Sequence, residues 1–508
     1  MRAGSDIREG SSAVEDRRLS IKVGAHWALV AMISALGAAL RFHDLGRRSL
    51  WFDEGVSVGI ARLDWYNFAR ILWRREANMA LYYLVLRLWL QLGGEEAFIR
   101  SLSVVFAIAT IPVVFLIGRK LWDSRTGLIA VSLLAVSAFH IRYSQEARSY
   151  ALATLLCALS SLYFLKSFET PSRRNRILHI VTSVLAVYAH FFCGLLIVAQ
   201  WSAARMYGTS RRFGRNWRWI VVAVTPLALF VATTGAGPLR WIQRPGFGDL
   251  WNFGLLMAGG GPLMVAAYGF ACGGAIAPGD RRNTGRETWA RAWPYIFVSL
   301  WLLLPLGIII AVSFIRPLFV ARYFLFCLPA LVLLAASGLA RLSGVWRGAA
   351  LAVFLLLGLR GARDYYDYHH DFDLGRDDWR SASRYLLDNA RPGDAVVFHV
   401  AMGRLPYEYY RSLLAPARGP EVVYPHSAGH ITYLDLVEKP HAGQLAASLP
   451  QFERVWIVLR YAETASGTPD DDTRLLMSLA GASHPFHTQR NFPHLEVLVY
   501  GRQHGELP

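Results

Sequence analysis

Between about residues 25 and 360 this chain passes through a succession of apolar stretches that a water-soluble core cannot absorb. They cover about 25–40, 80–94, 97–118, 127–141, 149–165, 177–207, 219–236, 251–278, 293–315, 319–340 and 346–360. Composition agrees: of 508 residues 54% are hydrophobic and 18% charged, against roughly a quarter charged in ordinary soluble domains. Disorder, collagen and a small disulfide scaffold are excluded. The four cysteines, Cys157, Cys193, Cys272 and Cys327, each lie inside an apolar run and read as small buried side chains.

The formal charge of +17 is read first as topology. Basic connectors recur at Arg119, Lys120 and Arg125, at Lys166 with Arg173, Arg174 and Arg176, and at Arg205 to Arg218. Others are Arg281, Arg282, Arg286 and Arg291, and then Arg341 with Arg347. The positive-inside rule assigns these to the cytoplasm, together with the basic tail 1–24 ahead of an uncleaved signal anchor. Run 80–94, interrupted by Arg87, is then a re-entrant or interfacial helix, and run 177–207 crosses twice with a break near His190. The expectation is a polytopic α-helical membrane protein of about eleven crossings. It comprises the tail, a membrane domain 25–361 with an outer loop 42–96, and a small extracytoplasmic α/β domain 362–508. In that last part AVVFHV (395–400), RVWIVLR (454–460) and HLEVLVYG (494–501) read as strands. Residues 363–508 carry five more acidic than basic groups, so the basic excess lies in the membrane part. Nucleic acid is therefore disfavoured as a partner and anionic lipid favoured.

The polar residues that interrupt the apolar pattern gather on the outer side of this topology. Asp53 and Glu54 follow Trp51-Phe52 just after the first run. Paired carboxylates there are costly unless solvated or used, and one is a candidate general base. Glu76 and Asn78, ahead of Tyr82, bring a further carboxylate or cap a helix. Glu146, Arg148 and Tyr150 close another run, and Arg316, Arg322 and Tyr323 flank a later loop, with Arg240 and Arg244 weaker versions of the same signal. Arginine forks suit phosphate, although helix-end pairing and snorkelling account for them too. The chain's 49 arginines against 4 lysines weaken the weight of any single one. His190 reads as a ligand, a proton carrier or a satisfied polar residue. His369-His370 amid aspartates lacks metal-ligand spacing, and no phosphate loop, GxSxG or zinc pattern occurs.

WFDEG (51–55), E-x-N-x-x-L-Y-Y (76–83), RSLS (100–103) and SAFHIRYSQEARSY (137–150) together resemble the glycosyltransferase family 39 group. That group belongs to the GT-C membrane glycosyltransferases, which include protein O-mannosyltransferases and lipid A aminoarabinose transferases; the similarity covers about residues 25–345. Where members commonly carry Pro-Pro before Leu-Tyr-Tyr, this chain has Met79-Ala80. The resemblance implies transfer of a sugar from a polyprenyl-phosphate donor, on the outer face of the cell membrane, with inversion, to a glycan, lipid or protein hydroxyl. It implies Asp53 as base, Glu54 supporting it or binding acceptor, and Arg148, Arg322 and Arg316 at the donor phosphate. It places Glu76, Asn78, Tyr82, Glu146, Tyr150, His190 and Tyr323 against substrate. Some members use a divalent metal and others none, so the resemblance leaves a cofactor open. Two other readings compete: a non-catalytic lipid or polysaccharide transporter with a periplasmic domain, and a glycan ligase or polymerase.

Overall fold

The computed structural model describes residues 24–208, 210–234, 242–276, 286–367, 376–415, 419–425, 431–437, 439–460, 462, 468–503, 505 and 507–508. The N-terminal tail, Arg240, Arg281, Arg282 and the His369-His370 pair lie outside the described residues. By internal contacts the chain forms two units. The first takes Met1–His43, Ser103–Gln145 and Ser149–His370; the second takes Asp44–Leu102, Glu146–Arg148 and Asp371–Pro508. The sequence loop 42–96 thus falls almost wholly in the unit that also holds the C-terminal residues.

The first unit is helical. Seven helices among the described residues are long and apolar enough to cross a membrane: Gly24–Phe42, Glu96–Leu121, Tyr150–Glu169, Asn216–Thr233, Arg291–Ser313, Ala321–Ala340 and Gly344–Tyr366. Two bent pairs raise the number to nine. The remaining two of the eleven expected crossings are the halves of run 177–207. They form Arg173–Ala189 and Phe191–Met206, and neither reaches the length of a full span. The break falls at His190, where the backbone turns extended (φ −163°, ψ 127°) and the Nδ1 atom accepts from Phe192 N at 3.3 Å, capping the next turn.

Runs 127–141 and 251–278 each fold as two helices with a bend between them. Ser124–Ala135 and Ala138–Ser144 meet at 60°, and Phe247–Ala258 and Pro262–Ile276 at 77°. In the second pair the cause is local: Gly259 (φ 75°) ends one helix in the left-handed region and Pro262 opens the next. In the first pair Ser137 leaves helical geometry and its Oγ accepts from His140 N at 3.4 Å. The break frees carbonyls, and a buried arginine takes them. Arg41 donates to Leu134 O at 3.1 Å, Ala135 O at 2.9 Å and Gly37 O at 2.8 Å, with His140 Nδ1 at 2.7 Å. A kink inside lipid is tolerated when the freed backbone groups are satisfied in this way.

The second unit is mixed. Run 80–94 forms only the ten-residue helix Ala80–Trp89, too short to span. The C-terminal part carries a five-stranded sheet: β1 (Asp394–Phe398), β2 (Glu421–Tyr424), β3 (Arg454–Arg460), β4 (Phe486–Phe492) and β5 (Leu495–Gly501), in the order β2-β1-β3-β5-β4. β1 pairs in parallel with β2 and β3, while β5 runs antiparallel to β3 and β4. The three strands read from sequence are β1, β3 and β5, which supply much of the buried core (Val397, Val455, Ile457, Leu498 and Tyr500).

Candidate active site

In the second unit the segment after Ser49 turns sharply into a helix, Phe52–Arg62, and Trp51 at its start is extended (φ −81°, ψ 173°). Asp53 and Glu54 therefore sit in the first turn, where unpaired backbone N–H groups favour negative charge. The two carboxylates then diverge. Glu54 has no solvent-exposed surface. Its Oε1 accepts from Arg100 Nε at 2.8 Å and Ala147 N at 2.8 Å, and its Oε2 accepts from Arg100 Nη2 at 2.7 Å and Trp51 N at 3.3 Å. Arg100 also donates to the carbonyls of Leu45 (3.0 Å), Arg48 (2.8 Å) and Ser49 (2.8 Å). Glu54 is thus engaged on every side, and the pair fixes the approach to the helix. A carboxylate so enclosed is poorly placed to take a proton from substrate.

Asp53 is different. Its side chain keeps 22% exposure and faces Arg148, with Nη2 to Oδ2 at 3.8 Å. Arg148 is itself anchored, because Nη1 donates to Asp53 O at 3.2 Å and to Ser57 Oγ at 3.1 Å, one helical turn on. Ser57 Oγ donates in turn to Asp53 O at 2.8 Å. The cation is held beside the carboxylate by backbone and hydroxyl, not by the carboxylate alone.

Glu76 ends an irregular turn, Leu72–Glu76, and accepts from Tyr83 Oη at 2.9 Å. Burial pushes its carboxyl above the ordinary value, while the charge of Arg148 opposes the shift and that of Asp53 adds to it. Asn78 and Tyr82 follow on the same segment, Tyr82 fully buried. Glu146, also buried, accepts from Arg376 Nη2 at 2.8 Å. Behind the helix start, Asp377 Oδ2 accepts from Phe52 N at 3.2 Å, Trp379 Nε1 at 3.2 Å and Arg460 Nε at 2.7 Å. The Arg460 guanidinium also lies 4.1 Å over the Phe52 ring.

The other sequence candidates belong to the first unit. Tyr150, His190 and Tyr323 form one aromatic group, with ring centroids 6.1 Å apart for Tyr150–His190 and 4.8 Å for His190–Tyr323. Arg322 lies 5.9 Å from the Tyr323 ring, and Arg316 and Arg244 are exposed. The structure thus brings Asp53, Glu54, Glu76 and Arg148 together in one unit, and Tyr150, His190, Arg322 and Tyr323 in the other. Sequence reasoning missed Arg100, Ser57, Tyr83 and Arg376 as parts of the first group. A signal existed for Arg100, an arginine in the second turn of an apolar helix inside RSLS. Among the described residues no group of three or more His, Cys, Asp or Glu is placed to hold a metal ion.

No family model matches the chain, and neither does any curated protein. Solved structures do. ArnT from Cupriavidus metallidurans in the apo state aligns with a TM-score of 0.63 at 13% identity, over 95% of this chain and 99% of that one. The same protein bound to undecaprenyl phosphate gives 0.63 at 15% identity, over 94% and 99%. The chain has the ArnT fold. The likeness is one of fold, and it does not single out the family 39 group that the motifs resemble. The likeness runs through the C-terminal residues as well, which the motif resemblance did not cover.

Proposed function

We propose that this protein is an integral membrane glycosyltransferase that moves a sugar from a polyprenyl-phosphate donor to an acceptor hydroxyl on the outer face of the cell membrane, with inversion. The observation that carries the reading is the partly exposed Asp53 beside the anchored Arg148 at the start of a helix, in a chain whose ArnT neighbour has been solved with undecaprenyl phosphate. Asp53 takes the proton of the acceptor hydroxyl as its oxygen bonds to the anomeric carbon. The bond from that carbon to the phosphate oxygen breaks on the opposite face, and the lipid phosphate leaves with the electron pair. Arg148 balances charge on the departing phosphate. Glu54 serves this chemistry as a positioning residue, through Arg100. Arg322 and Arg316 of the first unit are proposed as further phosphate contacts, and Tyr150, His190 and Tyr323 as lining for substrate. A hexose or pentose, and a glycan, lipid or protein acceptor, all satisfy this chemistry.

Transfer from a polyprenyl-phosphate sugar by full-length protein in lipid nanodiscs tests the assignment. Asp53→Asn is expected to lower turnover by about 10²–10⁴-fold, with donor binding retained. Arg148→Ala is expected to weaken donor binding. Normal turnover in Asp53→Asn would remove the base, and unchanged donor affinity in both Arg148→Ala and Arg322→Ala would remove the phosphate contacts.

A further inference from the structure

The helix Phe52–Arg62 carries a second feature at its far end. A cavity of about 840 Å³ opens between its last turns and the helix Arg404–Leu414, both in the second unit. Nine residues from Asp53 to Arg62 advance about 13 Å along the helix and turn about half a revolution, so this cavity lies on the face away from the carboxylate–arginine group. Its walls mix Arg62, Arg87, Arg404 and Arg411 with Asp64, Glu408 and Asn67.

Most of these charges are already committed. Glu408 is shared between Arg404 at 3.2 Å and Arg411 at 3.0 Å. Asp64 caps the next helix, accepting from Tyr66 N at 2.9 Å and Asn67 N at 3.0 Å. Arg87 donates to the Ala61 and Leu63 carbonyls and stacks 4.1 Å over Trp65, so the C-terminal end of the helix is satisfied without Arg62. Arg62 itself stacks 5.2 Å from the Tyr409 ring and, among the described residues, has no hydrogen-bond or carboxylate partner. An arginine fork pre-set on an aromatic ring at a cavity wall is poised to donate two parallel hydrogen bonds to an anion.

The size and lining decide the class of ligand. A lone phosphate would leave most of the space empty, and an apolar ligand would leave Arg62 without a partner. The geometry points to a binding site for an acidic saccharide, with its carboxylate or phosphate on Arg62 and its hydroxyls against Asn67, Asp64 and Glu408. This site is separate from the proposed transfer chemistry and stands or falls without it.

Full-length protein in detergent is titrated with tetragalacturonate, glucose 6-phosphate, neutral maltotetraose and inorganic phosphate. At least one of the two charged saccharides is expected to bind at least tenfold more tightly than both maltotetraose and inorganic phosphate. Arg62→Gln should weaken that binding about tenfold and Arg62→Lys less, with Asp53→Asn binding as the unmodified protein does. Equal binding of maltotetraose, equal binding of inorganic phosphate, or no effect of Arg62→Gln would each overturn the proposal. Loss of binding in Asp53→Asn would also overturn it, by moving the ligand to the other face.

Discussion

Two neighbouring carboxylates, one letter apart in the alphabet of side chains, have been given opposite environments. Asp53 keeps contact with solvent, whereas Glu54 is enclosed and paired with a buried arginine. Removing one partner of such a pair strands the other, at a cost of about 3–5 kcal/mol. Glu54→Ala and Arg100→Ala should therefore each lower the thermal unfolding temperature markedly, and the double variant should cost less than the sum of the two. Additive losses would show that the pair is not coupled. Glu76 supplies a pH dependence. Its native carboxyl binds a proton more tightly than the ordinary one near pH 4, so its contribution to stability is complete below that value and declines as pH rises toward the raised native value. Glu76→Gln should flatten this decline in unfolding temperatures measured across pH 4–8, while the amide oxygen still accepts from Tyr83; identical slopes would contradict the assignment. The Asp-Glu pair was legible in the sequence, but the division of labour was not. It depends on Arg100, 46 positions from Glu54, and on the backbone of Ala147, 93 positions away.

At the scale of elements, hydropathy revealed where helices lie and missed where they bend. Gly259 and Pro262 sit inside an apolar run whose average conceals them, and Ser137 is too small to interrupt one. His190 was visible because a polar ring in mid-run breaks the pattern outright. The two strands missed, β2 and β4, lie at the edges of the sheet. β4 reads HTQRN between two phenylalanines and is largely exposed, so no apolar alternation marks it. Helix packing is just as particular. On the face of Phe52–Arg62 away from Asp53, Gly55 and Gly59 press against Pro406 and Leu405, and a Cβ at Gly59 would lie 2.7 Å from the Leu405 side chain. Gly59→Val should overfill this contact and destabilise by about 1–3 kcal/mol, although valine suits a helix better than glycine. Leu405→Ala in the same background should recover part of the loss, as read from unfolding temperature. No recovery would mean that the helices do not meet through Gly59.

For the whole molecule, the unit that contains Asp53 is assembled from three separated stretches, 44–102, 146–148 and 371–508. Hydropathy reports short range order and carries no signal for such an arrangement, which is why the sequence boundary at 362 separates residues that the fold groups together. A chain ending after residue 370 keeps the helix Phe52–Arg62 in its sequence but loses the helix Arg404–Leu414 and the Asp377 and Arg460 contacts at its start. Amide hydrogen exchange in Phe52–Arg62 should accelerate by at least tenfold in that chain relative to the full one. Unchanged protection would show that the early segment folds unaided.

That dependence has a consequence for synthesis. The ribosome releases Asp53 early, yet the partner surface for its helix is made roughly 340 residues later, which at 5–20 residues per second is about 20–70 s. Through that interval the glycine-bearing face of the helix stands uncovered. The segment around Asp53 is among the first parts to be born and among the last to be finished, and its exposure to proteases and holding chaperones is set by the pace of translation.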